Sequence, residues 1–196
     1  MSYPLEEKLS YPWLALLVLA VFYGIYFAKM LVQHRHGIQT NQIGRRKEFS
    51  IHTVETLMSA ATLGAPAAQI MSIVFGWNHL PANARFTGFC IGMLGDVIFL
   101  ISVLCMRDSW RAGIPDKDKT KLVTTGIYRY SRNPAFLGFD LQYIGVLLMY
   151  GNLLTAGFTV FAIVMLHLQI LQEEKYLTRT FGTAYTDYCC SVRRYL

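Results

Sequence analysis

A chain of 196 residues with 54% hydrophobic side chains and a mean hydropathy of +0.34 fits either one soluble domain or a small membrane bundle, and the balance favours the bundle. The net charge of +6 would suit nucleic acid, but the basic residues stand between apolar runs rather than on one polar face. Membrane topology therefore accounts for them, and no nucleic-acid partner is expected.

The first ten residues carry Glu6, Glu7 and Lys8 instead of a basic start, and no small-residue cleavage pattern follows. The first apolar run is thus expected to remain in the mature protein. That run, Pro12 to Val32, reaches the roughly 20 apolar residues a spanning helix needs, with Trp13 and tyrosines near its ends. A second span is expected from Ile51 to Phe75. It has Glu55 near one end, a run of small residues for close packing, and Pro66 as a kink. A third runs from Phe86 to Met106 with Asp96 near its middle. Glu55 and Asp96 read as inter-helix hydrogen-bond partners.

The largest polar loop follows, from Arg107 to Asn133. Two tightly connected helices are expected beyond it, about Pro134–Tyr150 and Leu153–Leu171, divided by Tyr150-Gly151-Asn152. The first is barely long enough to cross at about 1.5 Å per residue. The expected architecture is all-α: an integral membrane bundle of five transmembrane helices with a cytosolic C-terminal helical tail. It divides into a three-span scaffold, residues 1–106, and a second part, residues 107–196. Lys and Arg number fifteen in the Gln33–Phe49 loop, the Arg107–Asn133 loop and the tail, against Lys8 and Arg85 on the other side. That bias puts the N-terminus outside and the C-terminus in the cytosol, in a plasma, inner or endoplasmic reticulum membrane.

Cys90, Cys105, Cys189 and Cys190 show neither CxxC nor Cys/His metal spacing, so no disulfide framework and no metal is expected. The Cys189-Cys190 pair could be palmitoylated. The C-terminus, Arg193 to Leu196, carries no prenylation signal.

The chemistry concentrates on the cytosolic side. Leu122 to Gly138 runs from a charged loop into a hydrophobic span. Gly126 gives a position without side-chain constraint, and Pro134 suits a first helical turn. Between them Arg129, Arg132, two tyrosines, Ser131 and Asn133 offer more hydrogen-bonding capacity than a connector needs. Glu173-Glu174 closes the fifth span, where a helix C-terminus disfavours negative charge, and a bound cation would offset that cost. Leu177, Phe181, Tyr185 and Tyr188 recur at helical spacing, predicting a tail helix packed on the domain.

Two blocks, Leu122 to Gly138 and Glu173 to Tyr188, resemble the isoprenylcysteine carboxyl methyltransferase and phospholipid methyltransferase family of membrane enzymes. The resemblance implies an S-adenosylmethionine pocket facing the cytosol, closed by the tail and open sideways to lipid, with S-adenosylhomocysteine as product. Cofactor contacts carried over by position fall at Thr120, Lys121, Leu122, Val123, Tyr128, Asn133, Pro134, Ala135, Phe136, Glu173 and Glu174. The physics agrees, since a carboxylate and aromatic faces suit a sulfonium cation. The prenylcysteine enzymes usually carry histidine where Asn133 stands, and arginine where Gln169 stands. Glutamine cannot neutralise an anion, which counts against a prenylcysteine carboxylate as acceptor.

The expected reaction is in-line displacement at the sulfonium methyl, driven by positioning and desolvation. A lipid amine would also need a proton acceptor. Asp140 is the candidate, with Arg132 as the other candidate catalytic residue. Gln142, Gln169 and His167 are candidate substrate contacts. The acceptor is expected to be lipophilic, an isoprenylcysteine-like carboxylate or a lipid headgroup. An NADPH-dependent isoprenoid or sterol reductase and a non-catalytic membrane protein are the alternatives. The residues do not fix the oligomeric state.

Overall fold

The computed structural model describes residues 5–43, 49–114 and 121–196, with side chains from Tyr11 onward. Among these residues six α-helices follow in chain order: α1 Leu5–Arg35, α2 Phe49–Val74, α3 Ala82–Met106, α4 Pro134–Met149, α5 Leu153–Phe181 and α6 Thr183–Ser191. Four are long and apolar enough to cross a membrane: α1 from Tyr11, α2, α3 with its 3-10 extension to Ser109, and α5. The shorter α4 is equally apolar. The described residues hold no β-strand, only an isolated bridge between Asn41 and Ala112. The chain is thus an all-α, multi-pass membrane protein.

Helix ends follow from local chemistry. Pro134 opens α4 at its first turn, where its missing N–H costs no bond. Asn152 starts α5 by accepting from the backbone of Leu154 and Thr155, both at 3.0 Å, while Thr155 Oγ1 accepts from the Asn152 amide at 3.1 Å. Gly182, with φ +56°, ends α5 and turns the chain into α6. The predicted single tail helix is therefore two: Leu177 and Phe181 lie on α5, and the buried Tyr185 and Tyr188 on α6. For the same reason Glu173 and Glu174 do not end their helix, which continues two turns beyond them. The chain also stays helical through Pro66.

The closest helix pair is α3 with α4, and glycine makes it possible. Gly88, Gly92 and Gly95 of α3 face Gly138 and Gly145 of α4. A Cβ on Gly145 would sit 2.5 Å from the Gly92 nitrogen, so the two backbones touch. Gly145→Leu is expected to push the helices apart and cost about 1–3 kcal/mol, read as a lower unfolding midpoint in detergent. Gly157→Leu, where nothing lies within 4 Å of the added carbon, is expected to be near neutral.

The helices alternate in direction, so the functional segments collect at one end. There α1 leads into Gln33, α2 begins, α3 ends, α4 starts and α5 runs into α6. At the opposite end Arg85 lies over the rings of Tyr11 and Tyr150, and Asn152 donates to the Trp77 carbonyl at 3.1 Å.

Candidate active site

The segment before α4 forms a 3-10 turn, Gly126–Arg129, with Gly126 at φ +63°. A side chain on Gly126 would be strained there and would place Cβ 2.7 Å from Cys105 Sγ. The C-terminal residues cross back over this turn. The Arg132 amide donates to the Arg193 carbonyl at 3.0 Å, and Asn133 Nδ2 donates to the Arg194 carbonyl at 3.1 Å. Tyr188 donates its hydroxyl to the Tyr128 carbonyl at 2.6 Å. Burial pushes the Tyr188 phenol up to about 12, so it stays a donor at neutral pH. Tyr188→Phe strands that carbonyl and is expected to lower stability by about 1–3 kcal/mol, measured as a shift in the thermal unfolding midpoint.

Glu174 binds the two halves together. Its carboxylate pairs with Arg132 Nη2 and Arg194 Nη2, each at 2.8 Å. Arg132 Nη1 also donates to the carbonyls of Cys189 at 3.2 Å and Val192 at 2.8 Å. Arg132 is thus turned toward the tail, and Glu174 is compensated by protein cations.

Two cavities flank this clasp. The smaller, about 120 Å³, is lined by Lys121, Leu122, Val123, Tyr128, Arg132, Asn133 and Glu173, with Leu177, Tyr185 and Tyr188 from the α5–α6 side. The larger, about 320 Å³, is apolar along Tyr23, Tyr26, Phe27, Met30, Met58 and Phe139. They share a wall made by Trp110, Arg111, Ala135, Phe136 and Glu173. Gln169 lies in the larger cavity, and its amide donates to Glu173 Oε1 at 3.0 Å. Gln169 Oε1 is buried without a partner.

The structure brings together most, but not all, of the predicted residues. Glu174 and Pro134 line neither cavity: Glu174 is in the clasp, and Pro134 is buried in the first turn of α4. Thr120 lies outside the described residues, as do Lys117 and Lys119. Asp140, Gln142 and His167 line neither cavity as well. Gln142 faces α2, donating to Gln69 Oε1 at 3.3 Å. His167 Nδ1 shares a 2.8 Å hydrogen bond with the Tyr195 hydroxyl. Asp140 Oδ1 is buried with no hydrogen-bond partner. Asp96, expected to bond between helices, has both carboxylate oxygens without a partner. Glu55 accepts from the Ile114 amide, in a loop, at 3.1 Å.

That loop is the part of the site which sequence reasoning missed. Trp110–Ile114 covers the larger cavity and is held from three sides. Gln33 donates to the Trp110 carbonyl at 3.0 Å and accepts from Thr40 at 2.7 Å. The Gln42 amide donates to the Ala112 carbonyl at 2.8 Å, and Glu55 takes the Ile114 amide. Gln33 and Glu55 are both fully buried.

The sequence signature described as phospholipid methyltransferase matches residues 85–184, from the start of α3 into α6. The chain belongs to the phospholipid methyltransferase family. The probable protein-S-isoprenylcysteine O-methyltransferase of Oryza sativa subsp. indica is 24% identical over 184 residues, covering 92% of both chains, so this similarity also takes in the first spans. Protein-S-isoprenylcysteine O-methyltransferase B of Arabidopsis thaliana is 29% identical over 106 residues, 52% of this chain and 53% of that one. The protein-S-isoprenylcysteine O-methyltransferase of Schizosaccharomyces pombe is 36% identical over 70 residues, a local match covering 34% of this chain and 29% of that one. This family member is a membrane methyltransferase.

Proposed function

We propose that the protein transfers the methyl group of S-adenosylmethionine to a lipophilic acceptor at the cytosolic membrane face, the acceptor being an isoprenylcysteine-like carboxylate or a lipid headgroup. The observation that carries this reading is the shared wall. A cavity of mixed polar and aromatic lining under the tail and an apolar cavity among the helices meet at Glu173 and Phe136.

The donor set fits S-adenosylmethionine by its chemistry. The Glu173 carboxylate and the rings of Phe136 and Tyr128 suit a sulfonium, and Leu122, Val123 and Leu177 offer apolar surface to a base. When bound, the donor supplies an activated methyl group on a positive sulfur.

The protein's own part is placement and exclusion of water. Gln169 holds Glu173 Oε1, fixing the carboxylate at the junction. Tyr185, Tyr188 and the Glu174 clasp press the tail over the smaller cavity and keep bulk water from it. The larger cavity takes the hydrocarbon part of the acceptor from the bilayer. A carboxylate acceptor needs no general base. An amine must lose a proton, and Asp140, which lines neither cavity, is the candidate acceptor.

In this reading α4 is a fifth crossing. Its start is tied to the tail through Arg132, and the Tyr150 carbonyl just after it accepts from Asn152, which also donates to Trp77 at the opposite end. The charge bias then places the N-terminus outside and the C-terminus in the cytosol.

Calorimetry on the full chain in detergent tests the donor. S-adenosylhomocysteine is expected to bind at one site and NADPH not at all. Binding of NADPH alone would favour a reductase, and binding of neither a non-catalytic role.

A further inference from the structure

Tyr23 and Tyr143 place hydroxyls where the larger cavity is otherwise apolar. Tyr23, on α1, lines the cavity, and its hydroxyl is buried with no hydrogen-bond partner. Tyr143, on α4, faces Tyr23 from the protein side. It is 0% exposed, and its hydroxyl also lacks a partner. Phe139, which does line the cavity, packs on the Tyr143 ring with centroids 6.0 Å apart. The pair stands away from the donor. On α1, Tyr23 is the lining residue farthest from Gln33, which bonds the Trp110 carbonyl in the shared wall. On α4, Tyr143 lies about 10 Å beyond Phe136 at the helical rise.

Two phenols so placed carry an unmet demand. A buried hydroxyl normally finds a partner, and hydrocarbon around the helices offers none. The two hydroxyls approach each other without completing a bond. A small rotation that closed it would occupy one of the two O–H groups and leave the other free, with lone pairs to spare. Asp140, one turn before Tyr143 on the same helix, repeats the pattern: its Oδ1 is buried without a partner. Packing alone would be served by phenylalanine at both tyrosines, at lower cost.

We propose that Tyr23, backed by Tyr143, forms a polar subsite at the inner end of the larger cavity, and that it recognises a hydroxyl carried part-way along the hydrocarbon chain of the acceptor. This rests on the proposed methyl transfer in taking that cavity as the acceptor's slot, and it adds a chemical feature to the acceptor's chain and none to its head. A hydroxyl both gives and takes a hydrogen bond, so it completes the pair in either direction of the Tyr23–Tyr143 bond. A plain hydrocarbon chain leaves both phenols unmet and loses that contribution. The slot is thus polar at its two ends, with Gln169 and Glu173 at the donor end and Tyr23 at the other.

The test uses the full chain in detergent, saturated with S-adenosylhomocysteine, and two probes with the same neutral head: methyl stearate and methyl 10-hydroxystearate, whose hydroxyl sits near mid-chain. The wild type is expected to bind the hydroxylated probe roughly 3- to 10-fold more tightly relative to the plain one than Tyr23→Phe does. Tyr143→Phe is expected to lose part of that preference, because it removes the group behind Tyr23 and leaves Tyr23 itself. Methyl stearate is expected to bind all three proteins alike, since both variants keep the aromatic ring, and this shows the slot intact. No binding of either probe to the wild type, or the wild-type ratio in both variants, would overturn the assignment. Failure of S-adenosylhomocysteine to bind the wild type would instead remove the methyl-transfer reading itself.

Discussion

Glu173→Gln is expected to weaken S-adenosylmethionine binding by about 10- to 100-fold while leaving the unfolding midpoint close to that of the wild type. The substitution keeps the side chain's volume and removes one negative charge. A hydrogen bond or contact to a charged group contributes about 1.5–3 kcal/mol, and each 1.4 kcal/mol is tenfold in affinity. The position of Glu173 sharpens the expectation. It stands in the wall common to both cavities, where the sulfonium must lie if the methyl group is to reach the larger one. S-adenosylhomocysteine has a neutral sulfur at that place. Calorimetry should therefore show a smaller loss for the homocysteine product than for the methyl donor. Equal losses would put Glu173 against the amino-acid end of the ligand. Lys117→Ala, in the charged loop, should cost far less than Glu173→Gln, and equal effects would count against the pocket.

Glu174→Ala is expected to act on stability instead, by roughly 2–4 kcal/mol. Removing this carboxylate leaves Arg132, whose side chain is 11% exposed, and Arg194, 38% exposed, without their common partner. The estimate lies between exposed pairs, worth about 0–1 kcal/mol, and buried ones, where breaking a pair costs about 3–5. The loss should appear as a lowered unfolding midpoint and faster proteolysis of the tail. Arg194→Ala should lose less, because the Arg132–Glu174 pair survives it. An unchanged midpoint for Glu174→Ala would show that the tail is held by its other bonds, those to the carbonyls of Cys189 and Val192–Arg194 and that of Tyr188 to Tyr128.

The two glutamates show how far the sequence could be read. Both were legible as candidates because paired carboxylates at the end of a membrane helix need a reason. Their division of labour was not, because Arg194 reaches Glu174 only once Gly182 has turned the chain back. The start of α4 was legible for a local reason: Gly126 and Pro134 each dictate backbone geometry at their own positions. The glycine contact between α3 and α4 left a weaker trace, Gly88 and Gly92 at a spacing of four. That spacing is a known sign of close helix approach, but single glycines in an apolar run invite no such reading alone. The loop over the larger cavity left almost none. Its supports pair Gln33 with Trp110 and Glu55 with Ile114, 77 and 59 residues apart, and no periodicity links them. Gln142 and His167 line neither cavity for a related reason. Both lie on the right helices, but the direction of a side chain around a helix depends on its neighbours. Here those neighbours are Gln69 and Tyr195.

An experimental structure of the full chain with S-adenosylhomocysteine tests the account at its centre. The account predicts the ligand's sulfur at the wall between the two cavities, beside the Glu173 carboxylate and within about 6 Å of the ring centre of Phe136 or Tyr128. A ligand seated away from Glu173, with the tail and the start of α4 enclosing nothing, would contradict it.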